Sequence, residues 1–391
     1  MSGPLKLAVV AGETSGDALA AKLMGALKRL TGAEIAFVGV GGAAMENEGL
    51  KSFFPIEDIH VMGLIEPIRR LPLLLRRIRE TAEGIVAARP DGLIIVDSPD
   101  FTHRVARRVR AALPQLPVVD YVSPSVWAWR PGRAKAMRAY VDRVLALLPF
   151  EPEAHRRLGG PPCVYVGHPL IERLADLRPD GEGARRREAH PPLIAVLPGS
   201  RRSEIARLSP SFGAALALLK REFRAFDVGL PTLPHVEAQV RTATRDWEVQ
   251  PRIVVTEADK LEMFRGARAA LAASGTATLE LALAGVPLVG AYRVSRIEEQ
   301  LKHFIVAPSI LLPNLVLGER AIPELLQNDC TPEKIVAALK PLLCDTPERA
   351  AQLAALARLD ASMRLPDGLA PSESAARATL EAFALGAITR P

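Results

Sequence analysis

Apolar residues along this chain gather in short unbroken runs rather than alternating with polar ones. Lys6–Ala11, Ile35–Val40, Val118–Val122, Val144–Leu148, Cys163–Val166 and Leu193–Leu197 are of this kind, as are Asp227–Leu230, Arg252–Thr256, Ala269–Ala273 and Pro287–Tyr292. The sharpest opens at Gly92 and ends in Asp97-Ser98-Pro99-Asp100-Phe101. Such runs predict strands buried on both faces, as in a parallel sheet. Helix-period stretches lie between them: Ala18–Leu30, Met45 onward, Phe212–Glu222, Met263–Ala267, Glu280–Ala284 and an Ala/Leu-rich last part from Pro332 to Leu385. Alternation in both halves predicts an α/β protein of two doubly wound, Rossmann-like domains. Arg178–Pro192 is rich in glycine, proline and charge, which places the boundary there: a first domain over 1–178, a second over 190–345 and a helical tail over 346–391.

Open α/β sheets bind ligands beyond the carboxyl ends of their strands, so the turns there carry the candidate chemistry. Pro99 stops the central run and leaves Asp97 and Asp100 at a strand end, where either carboxylate is a candidate general base. Gly12-Glu13-Thr14-Ser15-Gly16-Asp17 follows the first strand and offers backbone N–H groups to an anion, although it is neither a dinucleotide fingerprint nor a P-loop. Its glycines, and Gly41-Gly42, serve equally as tight turns. In the second half, Leu197-Pro198-Gly199-Ser200-Arg201 and Ser274-Gly275-Thr276-Ala277-Thr278-Leu279-Glu280 each bring a glycine and hydroxyls to a helix N-terminus. Arg201 adds a permanent charge with a bidentate fork, so the pair suits a diphosphate. Glu280, one helical turn beyond Thr276, is placed to accept from ribose hydroxyls. Plain N-capping is the competing reading for Ser274 and Thr276.

Val61–Glu80 interleaves Leu64, Ile65, Ile68, Leu71, Leu73, Leu74, Leu75 and Ile78 with Arg69, Arg70, Arg76, Arg77 and Arg79. An amphipathic helix on the sheet is the plain reading. The apolar residues exceed one buried stripe, however, and prolines interrupt the pattern, so a surface element touching lipid headgroups or acyl chains is the sharper one. Ser123-Pro124-Ser125-Val126-Trp127-Ala128-Trp129-Arg130 places two of the three tryptophans in one strand-end loop, either wedged into the core or lining a ligand site. His168, before a proline, reads as a turn or cleft residue bonded to backbone, and Asn314 as an ordinary loop amide.

A formal charge of +6 and a pI near 9.4 favour anionic company. Aromatics at 5% without basic-aromatic interleaving rank nucleic acid behind membranes and phosphorylated small molecules. Cys163, Cys330 and Cys344 lack pairing or ligand spacing, which fits a reducing compartment. No metal is called for, since there is no Asp-x-Asp, HExxH or EF-hand loop. Without a secretory signal or ~20 uninterrupted apolar residues, the expectation is a cytoplasmic protein, peripheral to a membrane at most.

These motifs, with Val61-Met62-Gly63, Gly167-His168-Pro169 and Leu312-Pro313-Asn314-Leu315, resemble in order and spacing the lipid-A-disaccharide synthases, from about Leu5 to about Leu343. Glu172 stands where many members have an aspartate. The resemblance implies an inverting, metal-independent glycosyltransferase of the glycosyltransferase-B fold, its two domains facing a cleft and no cofactor needed. It would join UDP-2,3-diacylglucosamine to 2,3-diacylglucosamine 1-phosphate, releasing UDP, in lipid A and lipopolysaccharide biosynthesis. It also implies Asp97 as base and UDP contacts at Gly199, Ser200, Arg201, Ser274, Gly275, Thr276 and Glu280. Substrate contacts would fall at Glu13, Ser15, Asp17, Met62, Asp100, Ser125, Trp127, Trp129, His168 and Asn314. The Val61–Arg79 stretch corresponds to the family's membrane-facing patch, on the inner face of the cytoplasmic membrane. The last helices would cross back to the first domain, and members can exchange that tail in a homodimer.

Three other classes compete. A nicotinamide oxidoreductase needs a fingerprint that neither first-half loop supplies. A UDP-amino-sugar isomerase or epimerase on the same fold would have no use for the apolar-arginine stretch. A non-enzymatic UDP- or lipid-binding protein remains, because pocket motifs show binding better than turnover.

Overall fold

The computed structural model describes residues 5–59, 71–223, 225–295 and 307–388. Two compact units result, one reaching to Ile171 and resumed from Leu365 onward, the other spanning Glu172–Arg364. The division falls before the glycine-rich stretch rather than inside it, because Gly181–Glu188 is a helix, capped by Asp180 Oδ1 accepting from Gly183 N at 2.7 Å. The tail expected as one piece from 346 divides likewise. The helix Pro347–Met363 belongs to the second unit, and Pro371–Ile388 packs on the helix Thr14–Thr31 of the first.

The first unit holds a wholly parallel sheet in the order β3-β2-β1-β4-β5-β6-β7. Its strands are β1 (Leu5–Ala11), β2 (Ile35–Val40), β3 (Leu50–Ser52), β4 (Gly92–Val96), β5 (Val118–Tyr121), β6 (Arg143–Ala146) and β7 (Cys163–Tyr165). The apolar runs are buried on both faces. Leu7, Val9, Ala11, Ile94 and Val96 join one core, and Ala8, Val10, Leu93 and Ile95 the opposite one. The second unit repeats the plan with β8 (Leu193–Leu197), β9 (Asp227–Pro231), β10 (Arg252–Val254), β11 (Ala269–Ala273), β12 (Leu288–Tyr292) and β13 (Glu324–Leu326), ordered β10-β9-β8-β11-β12-β13.

In each sheet the strand order reverses once beside its first strand, between β1 and β4 and between β8 and β11. At such a switch point the following loops diverge to opposite faces and leave a crevice for ligand. The helices after β1 and β8 begin earlier than the periodicity predicts, at Thr14 and Arg202, so both connecting turns are short. No described helix is long and apolar enough to cross a membrane.

Candidate active site

The first switch point brings the first glycine turn and Asp97 together. Ala11 pairs with Val96, and Val96 with Tyr121, so β1, β4 and β5 end level. Asp97 and Ser98 both adopt left-handed backbone, with φ of 54° and 43°. Consecutive non-glycine residues in that region cost energy and persist where the surroundings impose them, commonly at functional sites. Thr102 Oγ1 donates to Asp97 O at 2.7 Å, and Asp97 N to Tyr121 O at 3.1 Å. Gly12 faces this turn so closely that a Cβ there would lie 2.4 Å from Ser98 Cβ, so only glycine fits. Burial pushes the Asp97 carboxyl above the usual aspartate range, and the nearby Glu13 and Asp120 carboxylates push the same way. The Ser98 N–H, at 2.7 Å from Oδ1, and the Ser15 hydroxyl oppose that shift in part. Glu13 and Ser15 are exposed beside it. The arrangement is a partly desolvated carboxylate with its backbone clamped.

The tryptophan loop starts where β5 ends, next to Asp97. Val122 and Arg130 mark its two ends with φ of 84° and 52°. Val126 is buried, Ser125 exposed, and both indoles are half-buried. Trp127 meets Phe150 edge-on, ring centroids 5.1 Å apart, and its Nε1 donates to Glu151 Oε1 at 3.1 Å. The Arg130 guanidinium lies 5.4 Å from the Trp129 ring centroid. Of the two uses foreseen for tryptophan, packing is the one seen at Trp127, while Ser125 faces water.

At the second switch point the two glycine turns differ. Gly199, at φ 122°, is pressed on Glu204, whose Cβ would sit 2.5 Å from an added Cβ. Glu204 Oε2 accepts from Ser200 N at 3.0 Å and Arg201 N at 3.2 Å, closing a capping box. The backbone N–H groups expected to meet phosphate at this turn are thus already satisfied. What remains outward is the Arg201 side chain, 76% exposed, with Nη1 3.2 Å from Glu204 Oε1. The other turn is open. The helix Thr276–Leu283 has no side-chain cap, Gly275 and Thr276 are exposed, and Ser274 Oγ donates to Ile310 O at 2.7 Å. An uncapped helix N-terminus with exposed small residues leaves backbone N–H groups free to meet an anion. Glu280, one helical turn beyond Thr276, holds Lys260 Nζ at 3.1 Å.

Several candidates are spent elsewhere. Asp17 is buried and accepts from Gly42 N at 2.8 Å and from Ala44 N and Met45 N at 3.1 Å, capping the helix Ala43–Asn47. His168 is buried, accepts from Leu170 N at 3.2 Å, and is held neutral by burial, which pushes its pKa down to about 4. Asn314 is buried, its Oδ1 accepting from Ile322 N at 2.9 Å and its Nδ2 donating to Ile322 O and Glu324 Oε1. These three support loops through bonds to backbone N–H groups. Asp100 is exposed in the first turn of the helix Pro99–Ala112 and pairs with Arg133 at 3.2 Å. Met62 lies outside the described residues. Reading the sequence missed Glu204, Lys260 and Glu151. Glu204 had a signal, a glutamate three residues after Arg201 at a helix start; the bonds of Lys260 to Glu280 and of Glu151 to Trp127 arise only through the fold.

Comparison with known proteins adds descent to this geometry. The sequence profile of the lipid-A-disaccharide synthetase family matches residues 7–367. The lipid-A-disaccharide synthase of Nitrobacter hamburgensis is 56% identical over 377 residues, 96% of this chain and 95% of that protein. That of Rhodospirillum centenum is 42% identical, covering 96% and 94%. Among solved structures, a UDP-GlcNAc 2-epimerase from Neisseria meningitidis aligns with TM-score 0.58 at 12% identity, covering 97% of this chain and all of that one. Acinetobacter baumannii MurG aligns with TM-score 0.53 at 13% identity, over 99% of this chain and all of that one. Likeness at such identities speaks for the fold alone, and this fold hosts more than one chemistry.

Proposed function

The chain belongs to the lipid-A-disaccharide synthase family, and from that premise we propose that its two strand-end sites divide one glycosyl transfer between them. It is a glycosyltransferase that forms the lipid A disaccharide from a UDP-sugar and a lipid acceptor. The donor is UDP-2,3-diacylglucosamine and the acceptor 2,3-diacylglucosamine 1-phosphate. Asp97 takes the proton of the acceptor's 6-hydroxyl as that oxygen attacks the anomeric carbon. The bond from that carbon to the β-phosphate oxygen breaks, UDP leaves with the electron pair, and attack from the opposite face yields the β-1,6 linkage. Arg201 and the open N-terminus at Gly275-Thr276 stabilise the charge gathering on the diphosphate. Glu280 accepts from the ribose, and Glu13, Ser15, Ser125 and Trp129 border the acceptor.

The observation that carries this reading is the clamped, partly desolvated carboxylate of Asp97 at the first switch point. Incubating the purified chain with both substrates tests it, with disaccharide and UDP as the expected products. Epimerised UDP-sugar without disaccharide would move the assignment to the isomerase class.

A peripheral site on the inner face of the cytoplasmic membrane completes the proposal. On the helix Leu71–Ala88, Ile78, Ala82 and Ile85 face the core, whereas Leu71, 46% exposed, Leu75, 42% exposed, and the exposed Arg76 and Arg79 do not. Arg77 is held back by Asp58 and Glu80 and stacks over Phe54 at 4.5 Å. Exposed leucines beside the solvent-facing Arg76 and Arg79, the latter 4.0 Å from Glu83, suit an anionic headgroup layer. Co-sedimentation with anionic vesicles should be strong at low salt and fall as salt rises. Leu71→Ser with Leu75→Ser should weaken it about ten-fold or more, since a fully buried leucine contributes ~1.5–3 kcal/mol. Equal binding to neutral vesicles would refute the electrostatic part.

A further inference from the structure

Glu151 lies outside every role assigned so far, yet the structure concentrates an unusual environment on it. It opens the helix Glu151–Arg157 and is only 4% exposed. Three N–H groups converge on it: Trp127 Nε1 on Oε1 at 3.1 Å, Leu147 N on Oε2 at 3.1 Å and Leu148 N on Oε2 at 3.0 Å. No lysine or arginine forms an ion pair with it among the described residues. A buried carboxylate held by neutral donors alone is costly and is retained where its geometry is needed. Two backbone donors tie one oxygen to the end of β6, and the other oxygen reaches across to the tryptophan loop. That loop leaves β5 directly after Tyr121, whose carbonyl accepts from Asp97 N. Ser123 fastens it a second time, its Oγ 2.8 Å from His155 Nε2 on the next turn of the same helix.

We propose, resting on the glycosyltransferase reading above, that Glu151 is a positioning residue for the acceptor: in its ionised form it holds the Ser123–Arg130 loop in place through the Trp127 indole. Ionisation matters because protonation turns one acceptor oxygen into a donor while N–H groups face both oxygens. The protonated oxygen is then a poorer acceptor, so at least one of the three bonds is weakened. The indole bond is the one that spans between elements, so the loop is what loosens. Burial pushes the Glu151 pKa up to about 7, helped by Asp120 on β5 and opposed by the three N–H groups. The other titratable groups around it are Cys163 and Tyr165 on β7, both pushed up first by burial and then by Glu151, and His155, pushed down by burial. None of these carries positive charge near neutral pH, so none holds Glu151 ionised once the pH falls.

Three enzymes test the proposal: Glu151→Gln, Trp127→Phe and the double variant. In Glu151→Gln the KM for the lipid acceptor should rise ~10- to 100-fold, the range for losing a hydrogen bond to a charged group, with the KM for the UDP-sugar unchanged. Trp127→Phe should reproduce that rise, and the double variant should be no worse than the more affected single one. The difference in tryptophan emission between wild type and Trp127→Phe should titrate with a midpoint near neutral pH, and this titration should vanish in Glu151→Gln. An unchanged acceptor KM in either single variant, additive effects in the double, or a titration that survives Glu151→Gln overturns the proposal. If Glu151→Gln does not fold, the acceptor KM of Trp127→Phe and the emission titration decide. If the wild-type chain makes no disaccharide, the enzymatic reading fails by itself, and the titration still reports on the anchor because it needs no turnover.

Discussion

Asp97→Asn should lose ~10²- to 10⁴-fold in kcat, the usual contribution of a positioned general base, while binding UDP as the wild type does. Asparagine suits the test because it tolerates left-handed backbone better than most residues, and Asp97 sits at φ 54°. The variant should also be no less stable. Burial raises the carboxyl's folded pKa above its unfolded value, so its favourable contribution exists only below the unfolded pKa and is lost as pH rises through the folded one. At neutral pH the ionised Asp97 is therefore a cost to the fold that asparagine removes, the pattern of an active-site group kept for function. The same shift fixes the sign of the pH profile. The base must be deprotonated, so kcat should fall on the acid side with a midpoint above that of an ordinary aspartate. Steady-state rates across pH, calorimetric titration with UDP and denaturant unfolding check these statements. Ordinary turnover by Asp97→Asn would transfer the role to another carboxylate, Glu13 being exposed beside it.

Arg201→Met should act on the opposite quantity. Its guanidinium is the cation that the first turn of the second unit leaves facing outward, and a charge-assisted bond to a diphosphate oxygen contributes ~1.5–3 kcal/mol. UDP affinity should fall ~10- to 100-fold, with a matching rise in the donor's KM. Methionine keeps the apolar stem, so the loss belongs to the charge. Stability should hardly change, because a surface ion pair is worth ~0–1 kcal/mol. Glu204, left behind, still accepts from Ser200 N, Arg201 N and Tyr292 Oη. Calorimetry with UDP on the purified variant measures the effect. Undiminished affinity would leave the diphosphate to the Gly275-Thr276 turn and Lys260. Together the two substitutions separate chemistry from donor binding: one lowers kcat at constant UDP affinity, the other lowers UDP affinity.

How far the candidate site was legible varied with the kind of signal. Strand-end placement of Asp97, Gly199 and Ser274 followed from apolar runs that stop at a proline or glycine, and the structure puts each at a carboxyl end. Asp17 and Asn314 stand in equally suggestive loops, yet backbone groups more than a turn away bond them, while His168 accepts from Leu170 N just two residues on. Local sequence does not distinguish a polar side chain that faces a ligand from one that caps a neighbouring helix, because the partner is supplied by the fold. The short edge strands β3 and β13 escaped notice because neither lies in the kind of apolar run that marked the equally short β7 and β10.

The sequence by itself determined the α/β alternation, the parallel character of both sheets, the turns that carry chemistry and, through its motifs, the family. These are local or linear properties: burial on both faces demands unbroken apolar runs, and a turn demands its glycine or proline. Only the tertiary structure decided which strands are neighbours, and with that where each sheet reverses. It also decided that Glu204 fills one phosphate-like turn while Thr276 leaves the other open, and that Glu151 anchors the tryptophan loop beside Asp97. In a medium where an unmet polar group costs ~1–3 kcal/mol, hydrogen bonds make those assignments; Glu204 meets Ser200 and Arg201 within one short window, whereas the Trp127–Glu151 bond joins residues 24 apart that no such window contains.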